Sequence, residues 1–209
     1  MLLREFPQCK VSHMATLREA QKQQTRRLLL DTGLALIGEK GYASTTIDDI
    51  AAAAGTTRTT FYLHFASKAA LIKELLAEAD AILTAEDDPS LAAVVKSGDP
   101  ELVRDWLGHK VDQWSTVGPY LLAAHQAEAS EPEVAATIAS WFDGTIAAIR
   151  SGLDEAHRFD EQTRWARSAL AFGQFEFVSR RFFSRGWEVD RQVLLTTLTD
   201  SWCHLLVQD

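Results

Sequence analysis

The chain has 209 residues, 46% of them hydrophobic, and a net charge of -8, which suits a globular protein of one large or two small domains and excludes a disordered one. Its apolar runs stop well short of the ~18 residues that cross a bilayer, and "MLLREFPQCK" has no apolar segment of the signal-peptide kind, so no membrane partner is expected and the cytoplasm is the default compartment. Only Cys9 and Cys203 are present; they offer neither a disulfide framework nor a metal-ligand spacing, and both are expected as free thiols.

Net acidity argues against a nucleic-acid partner only if it is spread evenly. Residues 1–84 carry 10 Lys and Arg against 9 Asp and Glu, whereas residues 85–209 carry 11 against 20. The acidity belongs to the C-terminal part, and basic side chains of the first part can gather on one face.

Helical periodicity runs along the chain, and no alternating β-branched run or hairpin dipeptide appears. Residues 1–14 show no pattern and are set aside as a leader or remnant. From about residue 17, Leu30, Gly33, Leu34 and Ile37 make an apolar stripe, which Gly41 ends. Thr46 followed by Asp49 reads as a capping box opening a second, short helix on Ile47, Ile50, Ala51 and Ala54, with Gly55 as its stop. Thr57 caps a third element carrying Phe61 and Phe65, and Ser67 caps a fourth carrying Leu71, Ile72, Leu75, Leu76 and Ala79. Beyond "EDDPS" at residues 86–90, the stretches "SGDPE", "VGPY", "SEPE" and "HRFDE" divide the remainder into helices of roughly 12 to 25 residues. The expected fold is all-α, with residues 15–66 as a three-helix helix-turn-helix domain and residues 67–209 as a helical bundle, of which 67–84 form a connecting helix.

Two short helices joined through a glycine turn give helix-turn-helix spacing. The second would meet DNA with Thr57 at its N-terminus and Thr59 and Thr60 on its first turn, placing hydroxyls and amides near phosphates. Arg58 can pair bidentately with guanine, and the threonine methyls can meet a thymine methyl. Tyr62, His64 and Lys68 fall toward the far side of that surface, with Lys68 suited to a phosphate. Taken singly, the threonines read as caps and the lysine as a solvated charge; the joint spacing is what points to DNA.

The run "TTIDDIAAAAGTTRTTFYLHFASKAALI", preceded by "EKGY", resembles the N-terminal domain of the TetR (tetracycline-repressor-like) family over about residues 25–76. The resemblance implies a DNA surface of Thr46, Thr57, Arg58, Thr59, Thr60, Tyr62, His64 and Lys68, a dimer, and an effector pocket in the second domain. Thr56, Leu63 and Ala66 depart from the family's usual pattern, and Leu63 cannot donate to a phosphate.

Residues 161–184 are apolar on two stripes, Ala166, Leu170, Gly173 and Phe177 on one and Trp165, Ala169 and Phe172 on the other. Residues 189–207 add Val193, Leu194, Leu198, Trp202, Leu205 and Leu206. Faces this wide need two partners, so residues about 161–207 are the expected homodimer surface, which would present two reading helices to a palindromic operator. Trp106, Gln113, Trp114, Tyr120, His125, Trp141, Phe142, Phe172, Phe175 and Glu176 are the candidate effector-binding residues, weighed against simple core packing. Glu176, flanked by two phenylalanines, needs a partner such as Arg180 or a ligand.

No phosphate loop, HExxH, CxxC or nucleophile elbow occurs, and the six histidines are scattered, so no catalytic residue, metal or cofactor is expected. The expected function is a ligand-responsive repressor; the alternative is a DNA-binding protein without small-molecule control, architectural or governed by a protein partner.

Overall fold

The computed structural model describes residues 9–207, with side chains from residue 17 onward. The expectation for residues 1–8 and that for the Cys9 thiol lie outside the described residues. Among the described residues there are nine α-helices and no strand: α1 Cys9–Lys40, α2 Ile47–Ala53, α3 Arg58–His64, α4 Lys68–Thr84, α5 Leu91–Ser97, α6 Pro100–Glu128, α7 Pro132–Glu155, α8 Glu161–Arg185 and α9 Arg191–Leu206.

Three boundaries differ from the sequence reading. α1 begins at Cys9 rather than near residue 17, and so runs through residues set aside as leader; between Pro7 and Gly33 the chain has no proline or glycine to interrupt a helix. The "VGPY" stretch does not end a helix, because Pro119 sits inside the 29-residue α6. A mid-helix proline costs about 3 kcal/mol, and burial of Val117, Gly118 and Leu121 around it offsets that cost. A Cβ on Gly118 would come within 3.0 Å of the Phe183 ring, so the helix is held through its weak point by close packing on α8. In the opposite direction, α5 has only seven residues.

The chain divides into two compact units, one ending at Leu71 and the other beginning at Ile72, so the division falls inside α4. In the first unit Leu29, Leu30 and Ile37 of α1, Ile50 and Ala51 of α2, and Phe61 and Phe65 are buried. Gly33 keeps α1 close to Leu71, whose Cδ1 lies 3.1 Å from where a Cβ would be.

The second unit is built on Leu91, Val94 and Val95 of α5, Val103 and Leu107 of α6, Ile149 and Leu153 of α7, Ala171 of α8, and Leu195, Leu198, Trp202 and Leu206 of α9. Trp202, fully enclosed, donates its indole N–H to the Ala171 carbonyl at 3.0 Å. The α7–α8 connection supplies a polar latch: Arg158 donates to the carbonyls of Val95 at 2.6 Å, Lys96 at 2.7 Å and Leu206 at 3.1 Å. Those acceptors are helix-end carbonyls of α5 and α9 that have no intrahelical donor.

α5 and α7 meet at Gly152, where a Cβ would fall 2.6 Å from the Ala92 carbonyl oxygen and 2.7 Å from Val95 Cβ. Neither atom can swing aside. Gly144, in the same helix, has nothing within 4 Å of its virtual Cβ. Alanine ordinarily stabilises a helix interior by ~1 kcal/mol over glycine, so the two sites should respond with opposite sign. Gly144→Ala is expected to stabilise by roughly 0.5–1 kcal/mol, and Gly152→Ala to destabilise by about 1–3 kcal/mol through overpacking, both read from urea unfolding.

Candidate nucleic-acid interface and ligand cavity

The α2–α3 pair is set by local hydrogen bonding. Thr46 caps α2 by accepting from the Asp49 amide at 3.1 Å, and its own amide donates to Asp49 Oδ2 at 2.9 Å. Lys40 and the Thr46 donors hold the Asp49 carboxyl far below the usual carboxylate range. α2 closes at Ala54, Gly55 turns with φ of 64°, and the Thr56 amide returns to the Ala51 carbonyl at 2.9 Å. A positive φ at this point is what glycine supplies without strain. Thr57 then caps α3, accepting from the Thr60 amide at 3.2 Å with the two hydroxyls 3.0 Å apart.

α3 buries Phe61 and leaves Arg58, Thr59, Tyr62 and Leu63 on its open side. Arg58 donates to Asp48 Oδ2 at 2.8 Å and to the Tyr62 hydroxyl at 3.3 Å. Both members of the Arg58–Asp48 pair are more than half exposed, so water screens the pair and a base edge or phosphate can replace the carboxylate. Leu63 is 74% exposed; the sequence reading noted it only as a departure, although its place four residues after Thr59 puts it on the same face.

The remaining expected DNA residues have different surroundings. His64 is turned inward toward Lys22 and Arg26: burial first, then the charges of Arg26 and Lys22, pushes its pKa down. Its backbone carbonyl accepts from Arg26, whose guanidinium lies 4.3 Å from the Phe65 ring centroid. Lys68 donates to the carbonyls of Tyr42 and Thr45, each at 2.7 Å, and stands 3.8 Å from the Tyr42 ring centroid. That ammonium braces the α1–α2 turn in this geometry, where the sequence reading expected it to hold a phosphate. Thr46 is likewise occupied as a cap. Thr45, which the sequence reading passed over, is fully buried and donates to the Gly41 carbonyl at 2.8 Å.

In the second unit a cavity of about 450 Å³ is lined by Trp106, Trp141, Phe172, Phe175 and Trp202, with Asp80, Asp87 and Lys110 among its polar groups. A smaller space of about 50 Å³ beside it shares Trp141, Phe172 and Phe175, and adds Trp114, His125, Phe142 and Glu176. Eight of the ten candidate effector residues therefore line one or the other. Gln113 and Tyr120 line neither; Gln113 donates instead to the Ile82 carbonyl at 3.0 Å. Glu176 Oε1 lies 3.0 Å from Arg180 Nε, close enough for charge attraction but outside hydrogen-bond alignment. Arg180 donates to His125 Nδ1 at 2.7 Å, and burial, with Arg180 beside it, pushes the His125 pKa down. The polar groups that sequence reasoning missed, Asp80, Asp87 and Lys110, come from α4, the α4–α5 loop and α6, and no local pattern joins them. No cluster of metal-ligating side chains occurs among the described residues.

The first unit is thus a helix-turn-helix domain with a polar open face on its second helix. Residues 29–75 match the model for "Bacterial regulatory proteins, tetR family", a similarity that lies within this N-terminal domain. Among curated relatives it is 40% identical over 62 residues to the HTH-type transcriptional regulator AcrR of Shigella flexneri. It is 39% identical over 62 residues to the probable acrEF/envCD operon repressor of Escherichia coli K12. Each match covers 30% of this chain and under a third of the relative, 29% and 28% respectively. The whole fold is similar to solved structures of a transcriptional regulator from Rhodococcus sp. (TM-score 0.66, 16% identity, 87% of this chain and 95% of that one) and a TetR-like regulator from Rhodococcus sp. RHA1 (TM-score 0.62, 19% identity, 87% and 93%).

A lysine that merely touched phosphate could be removed without loss of stability. Lys68→Met is expected instead to destabilise the N-terminal unit by about 1.5–3 kcal/mol, the range for charge-assisted hydrogen bonds, measured by urea unfolding without DNA.

Proposed function

We propose that the chain is a DNA-binding transcriptional regulator, a repressor that binds a palindromic operator as a homodimer in the cytoplasm and is released by a small-molecule effector. The observation that carries this reading is the open face of α3. Arg58, Thr59 and Tyr62 project from a helix that the Gly55 turn and the Thr57 cap hold in place. On DNA, Arg58 exchanges Asp48 for a guanine edge, and Thr59 meets a phosphate or a thymine methyl. Leu63 adds an apolar contact to that face. Thr57 and Thr60 present the N-terminal turn of α3 to the backbone, while Thr46 and Lys68 set its position.

Support for the dimer comes from α8. Leu170 and Phe177 are each 59% exposed and Trp165 60%, and they continue with Ala166 and Gly173, both also exposed, as an apolar strip too long for solvent. A second copy of the same strip is its natural cover, and a two-fold pair of reading helices matches a palindrome. Support for effector control comes from α4. Its first residue, Lys68, braces the reading domain, and Asp80, Leu83 and Thr84 near its last turn line the cavity. A ligand that prefers one setting of α4 by ~100-fold supplies about 2.7 kcal/mol, enough to shift a balanced population.

Selection of bound sequences from a random duplex pool tests the reading directly. A palindromic winner is expected, with log affinity falling linearly against log salt; no enrichment over random DNA would sink it. On the selected duplex, Arg58→Ala should cost about 10- to 100-fold and relax one base step, with little change on scrambled DNA. The double substitution Leu170→Glu with Phe177→Glu should yield a folded monomer by light scattering that has lost most operator affinity. A variant that remained dimeric would move the interface elsewhere.

A further inference from the structure

The charges around the larger cavity do not cancel. Lys110 comes from α6 and is only 4% exposed; its ammonium donates to the Asp87 carboxylate and the Leu83 carbonyl and lies 5.1 Å from the Trp106 ring centroid. That cation is spoken for. Asp80 also lines the cavity. Its Oδ1 accepts from the Trp141 indole N–H at 2.8 Å. Its carboxylate meets no cation among the described residues, and its other oxygen has no donor there. The lining therefore carries two carboxylates against one ammonium, and the unpaired charge is held in place by an indole that is itself part of the wall.

We propose that this cavity binds a singly cationic, largely apolar molecule whose protonated amine pairs with Asp80 while its hydrocarbon or aromatic body packs among Trp106, Trp141, Phe172 and Phe175. The inference rests on the reading of this cavity as the effector site and specifies the chemistry of its occupant. A half-buried carboxylate with an unused oxygen favours a positive group that brings its own N–H donors. Indole and phenyl faces around it favour the same charge, since their quadrupoles present negative faces. An anion would have to displace Asp87 from a buried lysine and sit beside Asp80. A volume of about 450 Å³ lies within the range of small-molecule sites.

Three probes of one shape separate charge from burial: 2-(1-naphthyl)ethylamine, 1-ethylnaphthalene and 1-naphthylacetate. Each is titrated calorimetrically into the full chain at neutral pH without DNA. The amine is expected to bind about 10-fold more tightly than the hydrocarbon, and the carboxylate more weakly than either. Asp80→Asn keeps an acceptor for Trp141 and should remove the preference for the amine while leaving hydrocarbon binding nearly unchanged. Equal binding of amine and hydrocarbon, preference for the carboxylate, or no saturable binding of the amine would each overturn the proposal, and all three are read on the unmodified chain even where the variant does not fold. Repeating the amine titration with the selected operator present tests the regulator reading separately: amine binding at Asp80 that left operator affinity unchanged would keep the site and remove its role in release.

Discussion

The Lys68 ammonium is the interaction on which the geometry of the N-terminal domain depends. In the turn between α1 and α2 the Tyr42 carbonyl accepts from the Thr45 amide at 3.2 Å, and one side chain from the start of α4 donates to it and to the Thr45 carbonyl. An amine with several donors and a full charge suits that task better than a neutral side chain, because each bond is charge-assisted. Stacking on the Tyr42 ring adds to it. α3 takes its outlook from that turn together with local contacts: the Thr46–Asp49 box that starts α2, the Gly55 bend, and the Thr57 cap.

The N-terminal domain was legible for a physical reason. Its boundaries are set by contacts within three or four residues, namely caps at Thr46, Thr57 and Ser67 and glycine stops after Lys40 and Ala54, and such contacts leave a mark in the local sequence. Lys68 was visible as a residue but not in its role, since its acceptors lie 23 and 26 positions earlier in the chain. The setting of His64 was hidden for a similar reason: α3 spacing says which residues share a face, but only tertiary packing brings the charges of Arg26 and Lys22 near its ring.

In the second unit the aromatic residues showed through, because a helix rich in tryptophan and phenylalanine either fills a core or walls a cavity. The polar determinants did not. Asp80 and Trp141 are 61 positions apart, and Lys110 and Asp87 are 23 apart. Arg158, which ties α5 and α9 together, sits in a stretch that composition marks only as a break. Pro119 misled in the opposite way, because its local propensity is real but is outweighed by the packing of Gly118 on Phe183.

The two kinds of polar contact in the N-terminal domain are divided by exposure, a division that suits the proposed DNA-binding role. The Thr45 hydroxyl is closed off from solvent and the Lys68 bonds are part-buried, so breaking them leaves polar groups without water to replace the loss. The Arg58–Asp48 pair lies in solvent, where Coulomb attraction is weak and a released carboxylate is rehydrated at once. On the proposed reading, DNA displaces the contact that is cheapest to lose, while the contacts that position α3 stay intact. α4 carries the same division along its length: its first residue, Lys68, donates to two turn carbonyls, and its Asp80 lines the cavity with a carboxylate oxygen that has no donor among the described residues. On the proposed reading, a ligand that pairs with Asp80 binds the same helix whose first residue donates to the α1–α2 turn.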